Sequence, residues 1–228
     1  MAFVVPAPAV PAVPVEGTED LFPVRRIFCV GRNYAAHARE MGADPNAEPP
    51  FFFTKPADAV VPPGDTVPYP PATTDLHHEV ELVVALAKGG ADIAAEAALD
   101  CVFGYAVGID LTRRDLQAAA KKGGKPWDMA KGFDASAPVS AIRPVARCGH
   151  PADGAITLAV DGVTRQSGDL SDMIWSVPAM IAYLSTLVIL RPGDLIFTGT
   201  PEGVGAVARG QTMTASVEGV GDLTVTLA

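Results

Sequence analysis

Glu79 and Glu81 alternate with valine and leucine in the stretch TTDLHHEVELVV (residues 73–84). A β-strand turns successive side chains to opposite faces, so the two glutamates share one face and Val80, Leu82 and Val84 the other. Like charges side by side repel, and burial sharpens the repulsion. Either this face is solvated, the ordinary reason for alternating charge in a strand, or a cation holds the carboxylates together. Asp110 closes the apolar run GYAVGID and offers a third carboxylate. A buried acid there is costly without a partner, although Asp110 could instead cap a helix starting near Thr112. Three carboxylates without sulfur suit Mg²⁺, Mn²⁺ or Ca²⁺ rather than zinc. With three protein ligands, water or substrate must complete the shell, as in catalytic sites.

Other residues could act beside such an ion. His37 and Glu40, three apart on an expected helix, share a face. The glutamate could fix the imidazole tautomer and raise its basicity, while a plain surface pair is the bland alternative. Lys131 sits among apolar residues in WDMAKGFD, as a fixed positive charge or as a snorkelling lysine. The turn TGTPEGVG (198–205) offers backbone N–H groups and threonine hydroxyls to a carboxylate. No Gly-Lys-Ser/Thr follows, so it is not a phosphate loop. Hard cations need no nitrogen ligand, and His77 and His78 stay outside the ligand set.

These groups need a scaffold of strands. Strands are expected at RRIFCVG (25–31), FFFTKP and VFGYAVGIDLT (102–112). Hairpins are expected at ITLAVDGVTRQSG (156–168), turning at Asp161-Gly162, and at the closing QTMTASVEGVGDLTVTL. GDLIFTGTPEGVG reads as a strand running into the glycine turn. Helices are expected over 32–42, over RRDLQAAAKKGG and, longest, over 171–187, with Pro178 near its first turns. The sum is a strand-dominated α+β domain over residues 22–228, preceded by an extended arm over 1–21.

The chain of 228 residues holds 22 glycines and 21 prolines, which favours short strands and turns. A net charge of −9 speaks against nucleic acid and anionic membranes as partners. The apolar run 177–190 falls short of the roughly 20 residues a membrane helix needs. Cys29, Cys101 and Cys148 are odd in number and widely spaced, as in a reduced, cytoplasmic protein.

Together the segments CVGRNYAAHAREMG, PFFFTKPADAVVPPG, LHHEVELVV, GYAVGIDLTRRDLQ, KPWDMAKGFDASAPVS and LRPGDLIFTGTPEGVG resemble the fumarylacetoacetate hydrolase family, in the family's order. The resemblance is strongest to bacterial fumarylpyruvate hydrolases and acylpyruvases. It implies a mixed β-sandwich roll with a few peripheral helices, a homodimer and Mg²⁺ or Mn²⁺. It assigns Glu79, Glu81 and Asp110 to the metal, His37 and Glu40 to the base, and Lys131 to catalysis. Arg32, Gln117 and Thr200 are assigned to a small 2-oxo acid substrate.

The implied reaction is hydrolysis of a carbon–carbon bond in an acylpyruvate, with fumarylpyruvate of the gentisate route giving fumarate and pyruvate. His37, oriented by Glu40, would activate water, and Lys131 would stabilise the developing pyruvate enolate. The alternatives are oxaloacetate decarboxylation, isomerisation or decarboxylation of an unsaturated 2-oxo diacid, and a non-catalytic metal- or ligand-binding module on the same fold.

Overall fold

A computed structural model of the chain describes residues 3–36 and 49–228. Its centre is a mixed six-stranded sheet in the order Arg143–Pro144, Val102–Ile109, Val80–Leu86, Asp194–Phe197, Arg26–Gly31 and Phe51–Lys55. All neighbours are antiparallel except Asp194–Phe197 with Arg26–Gly31. A four-stranded antiparallel sheet, ordered Val163–Asp169, Ala155–Val160, Thr212–Val217 and Gly221–Thr226, supplies the second layer.

Every residue of Val80–Leu86 is buried. Leu82, Val84 and Leu86 join the core between the two sheets, with Leu158, Met213 and Leu223. Val83 and Ala85 join a second apolar cluster on the opposite face, with Ile27, Leu195 and Phe197. Neither face of this strand meets water, which removes the solvated-face reading of the two glutamates.

The second cluster is partly closed by the chain's beginning. Ala12–Pro14 pairs with Leu21–Pro23, and Val13 and Phe22 pack into the cluster. Part of the extended segment expected over 1–21 is therefore packed against the sheet.

The expected hairpins form, and Asp161 and Gly162 both have positive φ, as a tight two-residue turn of this kind requires. The helix over RRDLQAAAKKGG spans Arg114–Lys122. The longest helix is shorter than expected, covering Val177–Leu187. Pro178 lies in its first turn, where a missing N–H costs nothing. The preceding residues are held out of the helix by Asn33, whose carbonyl accepts from Ile174 N–H and whose Oδ1 accepts from Trp175 N–H at 2.7 Å. Among the described residues, no helix is long and apolar enough to cross a membrane.

Candidate active site

Glu79 sits at the break between the strands Leu76–His78 and Val80–Leu86, and Glu81 lies two residues on. Asp110 follows the end of Val102–Ile109, the antiparallel neighbour of Val80–Leu86. Its amide donates to the carbonyl of Glu79 at 2.8 Å, which locks the two acids side by side. The helix begins only at Arg114, and the Asp110 carboxylate turns to two lysines instead of capping it.

The three acids bring one carboxylate oxygen each to within 4.8 Å of one another, and all three are buried. Even at that separation, each pair of unit charges repels by about 3–4 kcal/mol at an effective dielectric constant near 20. Positive groups must therefore be close, and three are. Lys131 Nζ lies 2.8 Å from Glu79 Oε2 and 2.6 Å from Asp110 Oδ2. Lys55 Nζ lies 2.8 Å from Asp110 Oδ1 and also donates to the carbonyls of Leu111 and Lys131. Arg114 Nη2 reaches Glu79 Oε1 at 2.5 Å, and Thr112 donates to the same oxygen.

Among the described residues, Glu81 meets no such cation directly. Its Oε2 accepts from the amide of Gly199 at 2.6 Å. Burial first, then Asp110 and Glu79, push its carboxyl well above the usual carboxylate range, against the pull of Lys131 and that amide. Burial opposes the charge of Lys131 as well, but Asp110 and Glu79 outweigh it and its pKa is raised. Asp110 Oδ1 faces Lys55 yet lacks a hydrogen bond of good geometry among the described residues, so its lone pairs keep spare capacity. An under-coordinated aspartate oxygen beside a hard-to-ionise glutamate is a donor set that fits a hard divalent cation.

Gly199 is essential to this arrangement for steric reasons. It has φ of +94°, and a Cβ there would come within 2.7 Å of Asn33 Cβ. Asn33 Nδ2 in turn donates to Thr198 O at 2.7 Å, fixing the turn that holds Glu81. Thr200, next along, accepts from Gln166 Nε2 at 2.8 Å, which leaves its own hydroxyl proton free to donate into the cleft.

A narrow cleft lined by Glu79 and Glu81 opens beside the acids. Arg32, Gln117, Thr200 and Lys131 all line it, so the structure brings these sequence-expected residues to one place. His37 and Glu40 lie outside the described residues. The two histidines that immediately precede Glu79 in sequence turn away from the acids. His78 Nδ1 pairs with Gln166 Oε1 at 2.9 Å, and His77 sits between Asp75 and Arg114.

Arg114 was absent from the sequence-based site, and the pairing of Lys55 with Asp110 was not expected there. Lys55 had a signal: a lysine closing the apolar run FFFTK must find an anion if it is buried. Arg114 had a fainter one, its place three residues before Gln117 on one helix face, where its Nη1 donates to Gln117 Oε1 at 2.5 Å.

Residues 26–228 match the family described as fumarylacetoacetate (FAA) hydrolase, C-terminal. The chain belongs to the fumarylacetoacetate hydrolase family. Two solved structures of the family cover 100% of this chain and are themselves covered over 99% of their length. One is fumarylpyruvate hydrolase from Pseudomonas aeruginosa in complex with Mn²⁺ and pyruvate, 52% identical with a TM-score of 0.97. The other is a putative fumarylpyruvate hydrolase from Burkholderia cenocepacia, 58% identical with a TM-score of 0.94. A curated relative of a different name, the mitochondrial oxaloacetate tautomerase FAHD1 of Arabidopsis thaliana, is 46% identical over 87% of this chain and 88% of its own. Membership bears out the expected α+β fold with its mixed sheets and few helices.

Proposed function

We propose that this chain is a divalent-metal-dependent hydrolase of acylpyruvates, with fumarylpyruvate as substrate and fumarate and pyruvate as products. The observation that carries the reading is the gathering of Glu79, Glu81 and Asp110 within 4.8 Å, beside a cleft that Glu79, Glu81 and Lys131 line. The similarity to a fumarylpyruvate hydrolase holding Mn²⁺ and pyruvate supports it.

Glu79, Glu81 and Asp110 would hold Mg²⁺ or Mn²⁺, whose contribution when bound is Lewis-acid stabilisation of charge on a 2-oxo acid. His37, oriented by Glu40, takes a proton from water so that the hydroxide attacks the carbonyl distal to the pyruvate unit. The C–C bond then breaks with its electron pair leaving toward the pyruvate carbon, which takes up the proton held by His37 to give pyruvate. The Lys131 ammonium faces that developing charge from a dry site, where a fixed cation acts strongly. Thr200 donates its free hydroxyl proton to a substrate oxygen. Gln117, its carbonyl held by Arg114, turns its amide N–H groups to the substrate.

A second reading is interconversion of the keto and enol forms of oxaloacetate, supported by the tautomerase relatives. It needs the same acids and a base, but no attack by water. Homodimerisation and a place in gentisate breakdown complete the proposal from the resemblance, and a cytoplasmic setting follows from the three widely spaced cysteines. Assay of fumarylpyruvate, acetylpyruvate and oxaloacetate, with pyruvate release and enol absorbance followed in parallel, tests it. Pyruvate formed from fumarylpyruvate supports hydrolysis. Enol–keto exchange of oxaloacetate with no pyruvate release supports the tautomerase.

A further inference from the structure

Among the described residues, the cleft holds more positive charge than its acids need. Glu79, Glu81 and Asp110 are matched by Lys131, Lys55 and Arg114. Arg32 and Lys121 also line the cleft, and neither pairs with a carboxylate among the described residues. Both instead lie against one aromatic pair. The Arg32 guanidinium is 5.5 Å from the Phe51 ring centre and Lys121 Nζ is 5.1 Å from that of Trp127. The two rings pack edge to face at 5.6 Å. Cation–π contact of this kind fixes a long side chain while leaving its N–H donors available.

Arg32 is held in place at a backbone cost. Its φ is +58°, in the left-handed region that a long side chain rarely adopts. Asn33 fixes the next residue by its bonds to Trp175 and Thr198. Lys121 is disfavoured as a cation where it stands, since burial and then Arg114 and Arg32 push its pKa down. Among the described residues, these two neighbouring cations lack an anion.

We propose that Arg32 and Lys121 form a subsite for a second carboxylate, which makes the cleft selective for long 2-oxo dicarboxylates. This rests on the hydrolase reading above and specifies its substrate class. Spacing supports the length. Arg114, Gln117 and Lys121 share one face of the Arg114–Lys122 helix, with Arg114 on Glu79. Seven residues of helix separate Arg114 from Lys121 by about 10 Å along the axis. A seven-carbon diacid spans roughly 7–8 Å between its terminal carbons, whereas a four-carbon diacid spans roughly 4 Å. Of the two, the longer molecule is the nearer match to that separation.

The test compares fumarylpyruvate with crotonoylpyruvate, which carries a methyl group in place of the far carboxylate, in wild type, Lys121→Met and Arg32→Met. Wild type should favour fumarylpyruvate in kcat/KM by on the order of 10²-fold, the value of a charge-assisted pair or two. Each variant should shrink that ratio at least about tenfold, mainly through KM, and Lys121→Arg should restore most of it. A ratio unchanged in both variants overturns the subsite. If wild type cleaves neither compound, the hydrolase reading fails, and the subsite is judged by calorimetric binding of fumarate against crotonate. Fumarate binding that weakens about tenfold in Lys121→Met sustains the subsite, and equal binding of both acids to wild type overturns it.

Discussion

Lys131 and Asp110 form a buried ion pair, 2.6 Å from Nζ to Oδ2, with side chains 3% and 0% exposed. The same ammonium lies 2.8 Å from Glu79, so one cation balances carboxylates from two neighbouring strand ends. Removing it leaves two buried acids facing each other. Lys131→Met should lower stability by about 3–5 kcal/mol in the absence of metal, the usual result of breaking a buried pair from one side. Saturating Mn²⁺ should recover part of the loss, because it supplies charge to the same oxygens. Urea denaturation with and without Mn²⁺ measures both effects. A loss under about 1 kcal/mol would contradict the balance of charge described here.

The three acids should act as a unit. Glu79→Ala, Glu81→Ala and Asp110→Ala should each weaken Mn²⁺ binding by more than about 100-fold, beyond the range typical for groups that merely orient a ligand. Titration calorimetry on each variant decides the matter. Affinity near wild type in all three would remove the metal site.

Glu81 sets a pH dependence with a definite sign. Its folded pKa is raised above the ordinary 4.5, so the folded state holds the proton more tightly than the unfolded chain. Without metal, stability from this group is greatest below 4.5 and falls as pH rises through the window up to the folded pKa. Binding of a cation needs the carboxylate form, so Mn²⁺ affinity should rise across that same window. Denaturation midpoints and Mn²⁺ titrations over the acid range should therefore move in opposite directions. Glu81→Gln should flatten the stability trend, and an unaltered trend in that variant would assign it to another group.

His37→Ala should lower hydrolytic turnover by on the order of 10²–10⁴-fold, the reach of general acid–base catalysis, with Mn²⁺ affinity nearly unchanged. Steady-state rates beside calorimetry separate the two. Parallel loss of metal binding would make His37 a ligand or a structural residue.

Much of the site was legible because local rules operate there. The two-residue period put Glu79 and Glu81 together, and the cost of an acid ending an apolar strand singled out Asp110. Asp161-Gly162 announced its hairpin through backbone conformation alone. What stayed hidden depends on long-range pairing. Lys55 meets Asp110 across 55 residues of sequence, and nothing near either residue names the other. Gly199 serves Glu81 through its amide, a group every non-proline residue carries, so only the packing against Asn33 shows why glycine is required. The late start of the Val177–Leu187 helix has the same origin, since Asn33 binds residues 174 and 175 from a distant strand end.

The most direct measurement follows fumarylpyruvate by its absorbance, with pyruvate counted enzymatically, in the presence of Mn²⁺ and again after chelation. The account predicts one pyruvate per fumarylpyruvate consumed, at a rate that collapses with chelator and returns on adding Mn²⁺. Loss of enol absorbance from oxaloacetate without any pyruvate from fumarylpyruvate would contradict it and assign the cleft to tautomerisation.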